Sequence, residues 1–135
     1  MMQLSATDAL VHVMVMAAVS DKDVTDSEMD RFAALISRWP VFENFDIERL
    51  PEVASTCVET VNKAGLDALL DQIAQTLEPR LQETAYAIAV EIVTVDLKLN
   101  QEELRMLEMI RDAFSIDRLT TAAIETSARI RHRRP

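Results

Sequence analysis

The chain is poor in the residues that build tight turns, disulfide scaffolds and aromatic-rich β structure. Its 135 residues include one glycine, four prolines and one cysteine, and aromatic residues make up 4%. Because glycine and proline are common in turn-rich β folds, their scarcity argues against that class, and abundant Ala, Leu, Met and Glu favour helices. The single Cys57 cannot form an internal disulfide, which indicates a reducing compartment. We therefore predict an all-α protein located in the cytoplasm.

Long apolar runs are also missing. The two most apolar segments, residues 9–19 and 85–95, have about half of the roughly 20 residues that a membrane-spanning helix needs. The first residues have neither the basic stretch nor the long apolar core of a secretory signal. A composition with 49% hydrophobic and 27% charged residues is typical of a globular domain with a genuine core. We predict one domain over residues 1–135, without a transmembrane segment, in which both apolar segments are central buried helices.

Acidic residues dominate the charge of the chain. There are 23 Asp and Glu residues against 14 Lys and Arg, and the net charge is −9. Four of the basic residues are arginines within the last seven positions, so the remainder is still more acidic. Such a body repels a phosphate backbone, which argues against nucleic acid and favours cations or basic surfaces as partners. The arginines place positive charge at the C-terminal end of the last helix, where the helix dipole favours it.

A segment near the start of the chain recurs 75 positions later. Asp21 and Glu28 of the first copy correspond to Asp96 and Glu103 of the second, and each copy has an apolar segment, an acidic break and an amphipathic segment. Self-similar units bury their apolar faces against each other, so we predict two helix hairpins related by a pseudo-twofold axis. The predicted organisation has about seven helices: repeat copies at about 8–39 and 83–114, connector helices at 40–82, and a last helix with the basic tail at 117–135.

Capping and helix-breaking residues locate the remaining helix ends. Pro51 begins and Gly65 ends a connector helix, Pro79 begins the second apolar helix, and the last helix begins near Asp117. The amphipathic helix of the second copy is predicted to face the core with Leu104, Leu107 and Ile110.

The repeated motif resembles the tellurite-resistance TerB-like family. The resemblance is carried by Asp21-Lys-Asp-Val24-Thr25-Asp-Ser-Glu28 and Asp96-Leu-Lys-Leu99-Asn100-Gln-Glu-Glu103, with Pro40-Val-Phe42, Phe45-Asp46 and Glu83-Thr-Ala-Tyr-Ala. It covers nearly the whole chain. It implies a compact TerB-like helical bundle without enzymatic activity, associated with tellurite resistance and general stress response. It also implies acidic residues that bind divalent metal, and a protein partner in a stress-response complex, in the cytoplasm or peripherally at the inner face of the membrane.

The acidic segments allow two interpretations. Thr25 with Glu28, and Asn100 with Glu103, have the spacing of a capping box, in which cap and Glu side chains bond the free amides of a helix start. Crowded carboxylates also suit a hard divalent cation. Ca²⁺, Mg²⁺, Mn²⁺ and Zn²⁺ stay open as cofactors, with the candidate ligands Asp21, Asp23, Asp26, Glu28, Asp96 and Glu103. The alternative is an acidic interaction module that docks a basic or membrane-associated protein, or a second copy of the chain, without metal.

Isolated polar residues within the apolar segments indicate packing roles. Glu91 interrupts the most apolar helix, so its carboxyl group must be paired, protonated or at an opening to solvent. His12 is expected to pair with Asp8 one turn earlier or to be a hydrogen-bonded core imidazole, and Cys57 to be a core thiol. The sequence contains no CxxC, no HExxH and no glycine-rich phosphate loop, so we predict that the protein is not an enzyme.

Overall fold

The protein is built from α-helices. A computed structural model describes residues 4–18, 24–94 and 100–135, and in these ranges there are seven α-helices and no strand. They are α1 (Ala6–Ala18), α2 (Asp26–Arg38), α3 (Leu50–Ala64), α4 (Leu66–Thr76), α5 (Pro79–Thr94), α6 (Gln101–Ala113) and α7 (Arg118–Arg131). Two 3₁₀ turns, Pro40–Phe42 and Ile47–Arg49, connect α2 to α3. The predicted all-α class and number of helices are confirmed.

The helix ends follow local sequence signals. The Ser5 hydroxyl accepts a hydrogen bond from the Asp8 amide at 3.1 Å at the start of α1, and the Asp117 carboxylate accepts one from the Thr120 amide at 2.9 Å at the start of α7. Gly65 separates α3 from α4 with a φ of 91°, a conformation that side chains other than glycine rarely adopt. Short-range capping therefore determines where these helices begin and end.

Helices α1 and α5 form the centre of the bundle. Every residue from Ala9 to Ala17 is buried, and α5 buries nine residues despite containing Glu91. α1 packs against α5 more extensively than any other pair of helices among the described residues, α3 packs on α1, and α7 packs on α5. The two most apolar segments thus pack together at the centre, as the sequence predicts. The pseudo-twofold relation and the division into repeat copies stay predictions.

One predicted core position is wrong. Leu107 and Ile110 are buried as expected, whereas Leu104 is 40% exposed. α6 packs onto the core through its later turns, and Leu104, one turn nearer the helix start, lies at the rim of a groove instead. Among the described residues, no helix combines the length and the apolar character needed to cross a membrane.

Candidate functional site

The first of the two predicted acidic sites includes the start of α2. The Thr25 hydroxyl accepts the Glu28 amide at 3.2 Å, and Glu28 Oε1 accepts the Thr25 amide at 2.9 Å and the Thr25 hydroxyl at 3.1 Å. These bonds form a complete capping box. Glu28 therefore has a structural role at this helix start.

The start of α6 repeats the same arrangement. Asn100 Oδ1 accepts the Glu103 amide at 2.7 Å, and Glu103 Oε1 accepts the Asn100 amide at 3.2 Å. The two boxes stand 75 positions apart, at equivalent places in the sequence repeat. The capping interpretation of both Glu residues is borne out by these contacts.

The described candidate ligands do not form a metal centre by themselves. Asp21, Asp23 and Asp96 lie outside the described residues, and Asp26 is exposed at the first position of α2. In residues 4–18, 24–94 and 100–135, no three Asp, Glu, His or Cys side chains gather closely enough to hold a metal ion. The positive end of the helix dipole at these helix starts also disfavours a cation. A complete oxygen-ligand set would need the carboxylates of Asp21, Asp23 or Asp96.

Glu91 ties the central helix α5 to the end of α7. Its Oε1 accepts a hydrogen bond from Arg131, and its Oε2 lies 2.6 Å from His132 Nε2. A carboxylate can only accept, so His132 carries the proton on Nε2. Burial acts to raise the pKa of Glu91, but the hydrogen bonds and charges of Arg131 and His132 outweigh it, and the pKa is lowered. Glu91 is therefore a paired carboxylate, one of the three outcomes that the sequence allowed.

The two other singled-out side chains, His12 and Cys57, belong to the core. His12 Nδ1 donates to the Asp8 backbone carbonyl at 2.8 Å, and burial lowers the imidazole pKa. The Asp8 carboxylate instead receives two hydrogen bonds from Arg49, at 2.9 and 3.2 Å. Burial raises the pKa of Cys57 to about 12, which leaves its thiol protonated at neutral pH. Burial therefore favours the neutral form of His12, and the protonated thiol of Cys57 is unsuited to redox chemistry.

A groove between α5, α6 and α7 was not identified from the sequence. It has a volume of about 300 Å³, and its apolar walls include Tyr86, Val90, Leu104 and Leu107. At its edge the Tyr86 hydroxyl donates to the partly exposed Glu125 at 2.5 Å. The apolar positions of α5 and α6 predicted only burial, because the groove forms between three helices and depends on how they pack.

These features define a small all-α domain with an acidic composition, in which two helices begin with matching capping boxes and a partly exposed ion pair joins α5 to the end of α7. A family model described as "Tellurite resistance protein TerB" matches residues 7–126, from α1 to within α7. The chain belongs to the TerB family. No curated protein matches the chain, and no solved structure matches it either.

Proposed function

We propose that this protein acts without catalysis in tellurite resistance and the wider stress response, by binding a basic partner protein through its acidic surface. Its membership of the TerB family supports the link to tellurite. The single buried thiol suits a cytoplasmic protein, which would meet a membrane-associated partner at the inner face of the membrane. A homodimer is one form that such an assembly could take.

The proposal rests on one observation: many carboxylates are exposed and have no partner within the described part of the protein. Glu28, Glu103 and Glu91 are engaged within the protein, whereas many of the others are exposed on the helices. Glu59 on α3 and Asp71 on α4 are examples: both are exposed, and neither makes a hydrogen bond or ion pair with the rest of the described chain. Exposed and uncommitted carboxylates attract basic surfaces and steer association.

The test is complementation of tellurite tolerance in cells that lack this protein. The paired substitution Glu59→Gln and Asp71→Asn removes two exposed carboxylates and should reduce both tolerance and the yield of a crosslinked partner complex. The matched control is Asn62→Lys with Gln75→Lys, which changes the net charge equally at exposed positions of α3 and α4 and keeps both carboxylates. Full tolerance with the first pair, or equal loss with both pairs, would contradict a carboxylate-specific contact.

A second candidate function is a response to divalent cations. It is favoured by one observation, the matching capping boxes that follow each acidic break at α2 and α6. The cation would be held by Asp21, Asp23 and Asp26 or by Asp96, with Glu28 and Glu103 offering their second oxygens. The cation would neutralise the carboxylates and order their segment, and it would take no part in a reaction.

A titration separates the two candidates. Chelator-stripped protein is titrated with Ca²⁺, Mg²⁺, Mn²⁺ and Zn²⁺ while backbone amide NMR shifts are followed. Saturable shifts confined to residues 21–30 or 98–103, and abolished by Asp21→Asn and Asp96→Asn, would establish cation binding. Weak, unsaturable shifts over the whole acidic surface would mean counterion attraction and leave the protein-partner proposal standing.

A further inference from the structure

The groove between α5, α6 and α7 has the properties of a small-molecule site. Its volume of about 300 Å³ lies at the lower end of the range for such sites, roughly 300–1,000 Å³. The apolar faces of Val90 and Leu107 form walls beside the buried ring of Tyr86. An apolar pocket with a few polar groups at its edge binds the apolar part of a ligand inside and its polar head at the mouth.

Leu104 supports this view of the groove. The periodicity of α6 predicts it to be a core residue, but the helix leaves it 40% exposed at the rim. Departures from an otherwise consistent pattern are expected at functional sites. An apolar ligand in the groove would cover this side chain and remove apolar surface from water.

The charged side chains at the mouth of the groove indicate which polar head group a ligand would carry. Glu125 is engaged by the Tyr86 hydroxyl at 2.5 Å and by Arg111 at 3.4 Å, and Glu108 pairs with Arg105 at 3.7 Å. Both carboxylates of the groove therefore already have partners.

Arg129, unlike these two carboxylates, has no charged partner among the described residues. Across the described ranges it forms no ion pair, and its single hydrogen bond goes to the Thr126 hydroxyl at 3.2 Å. Two further arginines, Arg133 and Arg134, are exposed just beyond α7. A guanidinium with spare donors, next to a basic helix end on an otherwise acidic protein, selects an anion, and a planar carboxylate matches its fork of donors.

We propose that this groove binds a small amphipathic carboxylate, with its hydrocarbon part between Val90, Leu104 and Leu107 and its carboxylate on Arg129. None of these residues is changed in the test of the acidic surface at Glu59 and Asp71, and none is a ligand in the cation hypothesis. Failure of the groove proposal would leave both of those untouched.

The probe is octanoate, kept below its micelle-forming concentration and followed by backbone amide NMR, with octylammonium and octanol as matched ligands. Octanoate should bind saturably, with the largest shifts at Val90, Leu104 and Leu107. Octylammonium, which places a positive charge beside Arg129, should bind at least about tenfold more weakly. Equal or tighter binding of octylammonium, or shifts that do not saturate, would overturn the proposal.

Two variants at exposed positions locate the site without disturbing the core. Arg129→Gln should weaken octanoate binding by about tenfold and leave octanol binding unchanged, because only the charged contact is lost. Leu104→Ser should weaken both. The control Arg38→Gln, an exposed arginine on α2, makes the same change in net charge and should have no effect. If Arg38→Gln weakens octanoate binding as much as Arg129→Gln, the attraction is general and the groove is not the site.

A second copy of the chain is the alternative occupant of the groove. It would be shown by dimerisation that increases with protein concentration, shifts the groove signals and is not reversed by octanoate.

Discussion

The contact between Glu91 and the end of α7 should contribute measurably to stability. The Glu91 side chain is only 18% exposed and receives hydrogen bonds from Arg131 and His132, whose side chains are 50% and 23% exposed. A hydrogen bond to a charged group contributes roughly 1.5–3 kcal/mol to stability. Because Arg131 is half exposed and its charge is screened by solvent, the contribution here should lie near the lower end of that range. Glu91→Gln retains an acceptor but removes the charge, so we expect the free energy of unfolding to fall by about 1–2 kcal/mol.

The measurement is urea unfolding at neutral pH followed by far-ultraviolet circular dichroism. The control is Glu83→Gln, an exposed position on the same helix, which should change the free energy of unfolding by less than about 0.5 kcal/mol. A double-mutant cycle with Arg131→Gln should give a coupling energy of at least about 0.5 kcal/mol. Equal stabilities of the Glu91 and Glu83 variants, or a coupling energy near zero, would refute the reasoning.

The same contact predicts a pH dependence. Burial opposes ionisation of Glu91, but its partners prevail, and the folded-state pKa lies below the ordinary value of 4.5. A carboxyl group with a lowered pKa stabilises the fold fully above its unfolded pKa and loses that contribution as the pH falls through the folded pKa. The difference in unfolding free energy between wild type and Glu91→Gln should therefore be largest above pH 4.5 and shrink below it. A difference that grows in acid would contradict this assignment.

Three further predictions concern local contacts. Thr25→Ala and Asn100→Ala should each lower the free energy of unfolding by about 1 kcal/mol in urea titrations, because each removes a helix cap, and no loss at either position would contradict the capping boxes. The Cys57 thiol, with its pKa raised to about 12, should resist a disulfide reagent at pH 8 until denaturant is added, whereas rapid reaction of the native protein would show that it is accessible. Tyr86→Phe should destabilise by about 1 kcal/mol by leaving Glu125 without its phenol donor, and an unchanged urea midpoint would show that Arg111 alone satisfies that carboxylate.

Features determined by neighbouring residues were predictable from the sequence. The capping boxes at Thr25 and Asn100 depend on contacts three positions apart, and the buried faces of α1 and α5 follow from their predominantly apolar composition. The partners of Glu91 were not predictable, because they lie 40 and 41 positions away and meet it only when α7 packs against α5. The sequence limited Glu91 to three environments, and tertiary packing chose among them.

The groove, by contrast, could not be predicted from the sequence. Leu104 follows the same helical period as Leu107 and Ile110, and periodicity treats all three as buried. Whether an apolar stripe is covered along its whole length depends on how the neighbouring helices pack on it, which the stripe itself does not determine. Exposure of Leu104 is therefore a tertiary property, and the groove could be found only in the assembled bundle.

The capping boxes also constrain how a cation could act on this protein. Oε1 of Glu28 and Oε1 of Glu103 each accept the amide of the residue that caps their own helix. A cation that drew these oxygens away would leave cap amides without partners, at a cost of about 1 kcal/mol for each helix start. A cation that used the free second oxygens would instead hold each Glu in its capping rotamer and stabilise the start of α2 or α6. Cation binding in the second mode should therefore slow amide exchange at Thr25 and Glu28, or at Asn100 and Glu103, and faster exchange on cation addition would mean that binding and capping compete.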